Sequence, residues 1–319
     1  MFQNSIIQNL FEIQNSKLKI VNMFVIKYKN YFYILSSLLI IASLAAFWYY
    51  GLDFSIEFTG GSLLEIEYPE KVPSLDEIKQ TLLINKFKDI KGLKSLAVQQ
   101  AGQKSFLLRF GEVDEASHQQ IVNGLEGARE LRFETIGPVI GEELKRKTIF
   151  GLVLAVIGMF LYVGIAFRKV SGRIHSLKMS AAAILALVHD MLITAGGFVI
   201  LSHYYGFEIG TLFVAAELTI WGYSINDTIV VFDRLRENLL KEGKKWLPEI
   251  AGESISQTIS RSINTSLAVF LLLFVLLLVG PSPLFPFIAP LMIGIVIGTY
   301  SSIFIATPVL FEGFKGVKR

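Results

Sequence analysis

The sequence predicts an α-helical polytopic membrane protein of six transmembrane helices, with an extracytoplasmic α+β domain of ferredoxin-like type between helices 1 and 2. Three observations predict it. Charged residues make up only 18% of the 319 positions and hydrophobic ones 52%, with a mean hydropathy of +0.53, where a soluble domain carries about 25% charge. Six stretches reach or approach the ~20 apolar residues needed to cross a hydrocarbon core of ~30 Å. The basic residues cluster in alternate connections, as membrane topology requires. An ordinary cytosolic enzyme is excluded.

Residues 1–30 form a cytoplasmic N-terminal segment, polar with scattered apolar positions (Phe2, Ile6, Ile7, Leu10, Phe11, Ile13), that reads as a short interfacial helix or a disordered stretch. Helix 1 occupies residues 31–50, Tyr31 to Tyr50. It is longer than the apolar region of a signal peptide and is expected to remain as an uncleaved anchor. The extracytoplasmic domain covers 52–147. The bundle of helices 2–6 covers 148–311, its spans running Thr148 to Phe167, Ser180 to Ser202, Thr211 to Phe232, Ile263 to Val279 and Ile288 to Leu310. Residues 312–319 form a cytoplasmic tail.

Orientation follows from Lys and Arg. Lys17, Lys19, Lys27 and Lys29 precede span one; Arg168, Lys169, Arg173 and Lys178 lie between spans two and three; six more lie between spans four and five, and Lys315, Lys318 and Arg319 in the tail. The short connections His203 to Gly210 and Gly280 to Phe287 hold no Lys or Arg. The positive-inside rule puts both termini in the cytoplasm. Leu52 to Lys147 then lies outside it, with 13 basic against 16 acidic residues. Its pattern reads strand (Gly61 to Tyr68), helix (Ser74 to Asn85), strand (Ser95 to Gln100), strand (Ser105 to Gly111), helix (Glu115 to Gly127), strand (Leu131 to Gly137). Ser74 and Glu77 make a capping box, and Ala101-Gly102-Gln103 a hairpin turn. That order is a split β-α-β unit.

With no cysteine there is no disulfide, thiol nucleophile or Cys-ligated metal. His118, His175, His189 and His203 are at least 14 positions apart, too far for a paired-histidine helix motif, so neither metal nor cofactor is expected. No basic and aromatic cluster resembles a nucleic-acid site, and no Ser-His-Asp, phosphate-loop or paired-carboxylate signature indicates an enzyme.

Charged residues within apolar spans carry the remaining signal, since each costs about 2.5–3.5 kcal/mol at a helix centre and persists mainly beside a partner or a wet cavity. Asp227 lies five residues, roughly 8 Å, inside the cytoplasmic end of span four, and Arg261 opens span five, so the two can pair. They read either as a fixed ion pair or as a proton relay. In a poorly solvated site burial favours the neutral acid and a guanidinium favours the carboxylate, and such opposition suits a group that takes up and releases a proton. Ser224, Asn226 and Thr228 flank Asp227 and are candidates to hold water or bond its carboxylate. Asp190, near the middle of span three, reads as a second relay acid or as a group bonded to Ser or Thr of a neighbouring span; Glu217 lies in the outer half of span four. His189 reads most simply as a satisfied core histidine, with a role in a proton relay as the alternative. Gly294-xxx-Gly298 with Ser302, and Gly151 with Ala155 and Gly158, are expected to be close-packing faces.

The string Gly222-Tyr-Ser-Ile-Asn-Asp-Thr-Ile-Val-Val-Phe-Asp-Arg-Leu-Arg-Glu-Asn238 resembles the fourth-span signature of the SecD/SecF family of protein-export membrane subunits, in the resistance-nodulation-division superfamily. Ile56-Glu-Phe-Thr-Gly-Gly61, Gly137-Pro-Val-Ile-Gly141, His189-Asp190, Gln257-Thr-Ile-Ser-Arg-Ser-Ile-Asn-Thr265 and Gly294-Ile-Val-Ile-Gly-Thr-Tyr-Ser-Ser302 agree with it over about residues 30–310. The resemblance implies a six-span subunit of the bacterial inner membrane that works with SecD and the SecYEG channel, drawing on proton motive force to help export preproteins. It places Asp227 and Arg261 on the family's proton path. Glu57 stands where the family motif usually has Asp, a conservative change in a structural turn, and Glu217 where an apolar residue is expected, which leaves open an altered outer path or a different coupling ion such as sodium. A stand-alone small-molecule exporter and a passive assembly subunit are the alternatives.

Overall fold

In a computed structural model the described residues are 24–84, 87, 90–100, 104–168, 174–241 and 245–312. The N-terminal segment before Phe24, the expected turn at 101–103, Lys169 and Arg173 of the second basic connection, and the tail beyond Glu312 lie outside them. The chain divides into two compact units, one of residues 1–51, 152–200 and 215–319, the other of 52–151 with 201–214.

The second unit is built on a four-stranded antiparallel sheet. After helix α1 (Lys29–Tyr50) come a one-turn helix α2 (Ile56–Thr59), β1 (Gly61–Glu67), α3 (Leu75–Ile84), a 3₁₀ turn (Lys91–Ser95), β2 (Ala97–Gln100), β3 (Ser105–Phe110), α4 (Glu115–Gly124) and β4 (Arg129–Ile136). The strand order is β2-β3-β1-β4, with Leu64 opposite Leu108 on one side and Phe133 on the other. Alternation decides the faces: Phe106, Leu108 and Phe110 of β3 turn into a core with Leu64, Ile66, Ile78, Leu82 and Ile121, while Arg109 turns away. The capping box forms, Ser74 N–H donating to Glu77 Oε2 (2.9 Å) and Glu77 N–H to Ser74 Oγ (3.2 Å). Asp114 caps α4 by accepting from Ser117 N–H at 3.0 Å. The helix α2 was not expected; Ser55 caps it, and Gly60 ends it at φ +72°. A Cβ on Gly60 would lie 2.6 Å from Pro138 Cα, so the glycine both adopts the left-handed turn and admits the chain entering α5.

Among the described residues, five helices are long and apolar enough to cross a membrane: α1, α5 (Pro138–Ala166), α6 (Ser176–Tyr205), α8 (Leu247–Val279) and the stretch Phe285–Leu310. The last is α9 (Phe285–Ser301), a π-turn (Ser302–Ala306) and a short α10 (Thr307–Leu310). Pro308 has no N–H to offer the Phe304 carbonyl four residues earlier, and the helix widens there. The sixth expected span lies in α7 (Thr211–Lys241), 31 residues and about 46 Å long, whose polar side chains keep it out of the apolar set. The helices outrun the expected spans wherever an amphipathic end follows an apolar middle. Thus α8 begins at Leu247 and buries Ile250, Ala251 and Ile255 well before Ile263. The bundle core joins Met179, Ala183 and Ala186 of α6, Phe232 and Leu235 of α7, Ile250 of α8 and Leu310. Outward, α1, α5 and α8 present Leu38, Ile41, Leu154, Leu161, Leu272 and Val275, the apolar surface expected of helices in lipid or against another bundle.

Candidate functional site

On α7, Glu217, Trp221, Ser224 and Thr228 recur at spacings of four, three and four, which sets them on one face, and all four are buried. That face meets α9 closely because α9 offers glycine. A Cβ on Gly294 would fall 2.3 Å from Ile220 Cδ1 and one on Gly298 3.0 Å from Ser224 Cβ. The expected close-packing role of the Gly294/Gly298 pair is therefore realised between α9 and α7. At Gly151 and Gly158 a Cβ would meet nothing within 4 Å, so among the described residues of this chain no helix packs closely there.

The close approach assembles a polar cluster around Asp190, which is 0% exposed. Ser224 Oγ and Ser301 Oγ both donate to Asp190 Oδ2, at 2.6 and 2.7 Å, and His189 Nδ1 lies 2.9 Å from Oδ1. An ionised carboxylate only accepts, so these donors match it. Of the two readings of Asp190, the bond to serines of neighbouring helices is formed. One turn further along α7, Thr228 Oγ1 and Ser302 Oγ are 3.1 Å apart, and Ser302 Oγ donates to Gly298 O at 2.7 Å. Ser224 thus serves Asp190 rather than Asp227: its hydroxyl is taken up by the carboxylate on α6, while Asp227 finds its donor, Ser262, on α8.

Asp227 is 5% exposed and faces α8, where Ser262 Oγ donates to its Oδ1 at 3.0 Å; its Oδ2 is buried and has no hydrogen-bond partner among the described residues. Arg261 is exposed, and among the described residues no ion pair joins it to Asp227. The expected direct pairing is replaced by the serine one position along, because 100° of rotation per residue brings Ser262 inward and turns Arg261 out. Arg261 remains close enough for its charge to act on the carboxylate. Asn226 is also exposed, turned out of the cluster by the same rotation from Asp227. Glu217 is buried; Trp221 Nε1–H donates to Oε2 at 3.2 Å, and Oε1 has no partner among the described residues. His189 is satisfied at one nitrogen: Nδ1 meets Asp190, while its buried Nε2 has no partner among the described residues, and its ring stacks on Tyr300 with centroids 6.2 Å apart.

The sequence does not single out Trp221, Ser262 and Ser301: Trp221 stands four residues from Glu217, while the two serines bond acids on other helices and carry no local signal. The partner of Glu57 is likewise not visible in the sequence. In the second unit Glu57 caps α7, Oε1 accepting from Thr211 Oγ1 at 2.8 Å and Oε2 from Thr211 N–H.

A multi-pass helical bundle that buries titratable side chains between its helices, joined in sequence to a separate α+β unit, defines a transport-associated membrane protein. Residues 117–314 match the family described as "Protein export membrane protein SecD/SecF, C-terminal", and the chain belongs to the SecD/SecF family. It is 36% identical to protein translocase subunit SecF of Thermobaculum terrenum over 296 residues, 90% of this chain and 92% of that one. To SecF of Helicobacter pylori strain J99 it is 36% identical over 297 residues, 90% and 86% of the two chains. The crystal structure of SecDF from Thermus thermophilus, "a translocon-associated membrane protein", superposes with a TM-score of 0.77 at 31% identity, over 89% of this chain. This chain spans 37% of that one's length.

Proposed function

We propose that the chain acts as the SecF-type accessory subunit of the bacterial Sec translocase, and with SecD uses the proton motive force to promote preprotein export through SecYEG. The observation that carries this is the unspent oxygen of Asp227. A carboxylate 5% exposed, held by Ser262 through one oxygen, has no hydrogen-bond partner for the other among the described residues, and Arg261 lies near enough to act on it electrostatically. A proton binds at Oδ2; its loss leaves a charge that attracts the guanidinium. Protonation therefore alternates between two arrangements of α7 and α8, and a proton crossing the membrane supplies about 2.3 kcal/mol per 100 mV. Asp227 and Arg261 are the proton-path residues of this reading, with Asp190, Glu217 and Thr228 in support and Asn226 on the exposed side.

The remaining assignments belong to the same proposal. Six spans cross the inner membrane, α7 supplying the polar one, with both termini cytoplasmic. Residues 52–147 form a ferredoxin-like domain on the far side, a reading supported by the strand order β2-β3-β1-β4 with one helix after β1 and one after β3. SecD covers exposed apolar helix faces, and the existence of relatives named SecDF, such as that of Brucella abortus (31% identical over 268 residues), supports the pairing.

Preprotein uptake into inverted membrane vesicles, with and without a proton gradient, tests the proposal. Asp227→Asn should lose the gradient-dependent part of export at normal abundance, and Asp227→Glu should keep some of it. Gradient-dependent export by Asp227→Asn equal to the parent's would overturn the reading.

A further inference from the structure

Outside the Asp227 site, His189 and Glu217 are buried titratable groups of the bundle whose hydrogen bonding is incomplete among the described residues, and His189 is the one bonded directly to Asp190. It is 4% exposed, and its two ring nitrogens are in different circumstances. Nδ1 faces Asp190 Oδ1 at 2.9 Å, and since a carboxylate only accepts, Nδ1 carries the hydrogen of that bond. Nε2 then bears a lone pair in the bundle interior with no donor to meet it. The carboxylate in turn is fixed from two other helices by Ser224 and Ser301. On the open side Tyr300 of α9 stacks on the imidazole while its hydroxyl is bound to α1, donating to Phe32 O at 2.9 Å. Among the described residues, Tyr300 on α9 meets the ring, and Glu217 on α7 is close enough to Asp190 to interact electrostatically.

We infer that His189 is a second proton-binding residue of the bundle, taking its proton at Nε2, with Asp190 as the residue that positions the ring and neutralises the imidazolium. The charge balance favours it. An ionised Asp190 beside a neutral imidazole leaves a net negative charge with no exposed surface, and one proton on Nε2 turns the pair into a neutral zwitterion. The three helices that meet here make the state of the pair mechanically consequential. Ser301 is the residue immediately before the π-turn, and Ser224 and Thr228 lie on the face of α7 that runs toward the level of Asp227. A change of charge on the pair alters the bonds that tie α6 to both. His189 is thus a proton-carrying group and Asp190 a positioning one.

This inference rests on the proton-coupled reading, and two measurements separate their failures. In the purified complex with the SecD-type partner in lipid nanodiscs, nitrogen NMR of labelled histidine should contain one imidazole signal that is absent in His189→Gln and changes between neutral and protonated forms as pH is varied. Asp190→Asn should alter that response, and Asp190→Glu should restore most of it. In inverted vesicles His189→Gln should lose the gradient-dependent part of export at unchanged abundance. A His189 signal that keeps one protonation state wherever the complex stays folded overturns the inference, as does full gradient-dependent export by His189→Gln. Failure of the Asp227 reading has a different signature: Asp227→Asn exporting like the parent while the His189 signal still titrates.

Discussion

Adding one methyl group at Gly298 should loosen the cluster around Asp190. The new Cβ would lie 3.0 Å from Ser224 Cβ and 3.3 Å from its Oγ, where carbon atoms prefer about 3.5–4.0 Å, so α7 and α9 must part by roughly 0.5–1 Å. Ser224 Oγ now stands 2.6 Å from Asp190, and that displacement carries it to the edge of hydrogen-bond range. Overpacking costs about 1–3 kcal/mol and a weakened bond to a carboxylate up to about 1.5–3 kcal/mol, while alanine regains about 1 kcal/mol of helix propensity. A net loss of about 2 kcal/mol corresponds to a fall in Tm of about 4–8 °C. Thermal unfolding in mild detergent measures it, with Gly158→Ala as control, since nothing within 4 Å opposes a Cβ there. That control should be neutral or slightly more stable. Because the clash and the lost bond share Ser224, the double change Gly298→Ala with Ser224→Gly should be no less stable than Ser224→Gly alone. Parental stability of Gly298→Ala, or strictly additive losses in the double variant, would refute the packing argument.

Glu57→Ala removes both acceptors from Thr211 and should destabilise the first turn of α7 by about 1–2 kcal/mol, read as faster amide hydrogen exchange at residues 212–214 with the rest of the helix unchanged. Burial pushes the Glu208 carboxyl up to about 7 even though Arg109 lies 2.8 Å away, and Asp53 and Glu57 add to the rise. A carboxyl raised in the folded state contributes stability that is complete below its ordinary value of 4.5 and lost as pH rises through about 7. Protection of the 205–211 amides, corrected for intrinsic exchange, should therefore fall over that window, and Glu208→Gln should flatten the slope; a rise with pH would contradict the sign. Leu108→Ala empties a fully buried position at the centre of the sheet and should cost about 2–5 kcal/mol, seen as protease sensitivity of the α+β unit with the bundle still inserted.

Local physics was legible in the residues alone. Apolar stretches of span length, the period-two burial of Phe106, Leu108 and Phe110, and the reciprocal Ser74 and Glu77 cap all depend on neighbours within a few positions, so each element lies close to where its pattern put it. The acids that matter were also visible, because a carboxylate in an apolar span is rare enough to be a signal by itself. Their partners were not. Whether Asp227 meets Arg261 or Ser262 depends on a rotation of 100°, and opposite charge at a matching depth points to the arginine while the fold supplies the serine. Ser224 is three residues from Asp227 in the chain, yet it bonds Asp190 from another helix, because Gly298 lets α9 close on that side of α7. The same glycine pattern at Gly151 and Gly158 meets only open space. Composition and periodicity determined which segments are helices and which residues are costly to bury; only the packing of one helix against another decided which of those residues touch, since a hydrogen bond between helices depends on the rotation and depth of both at once.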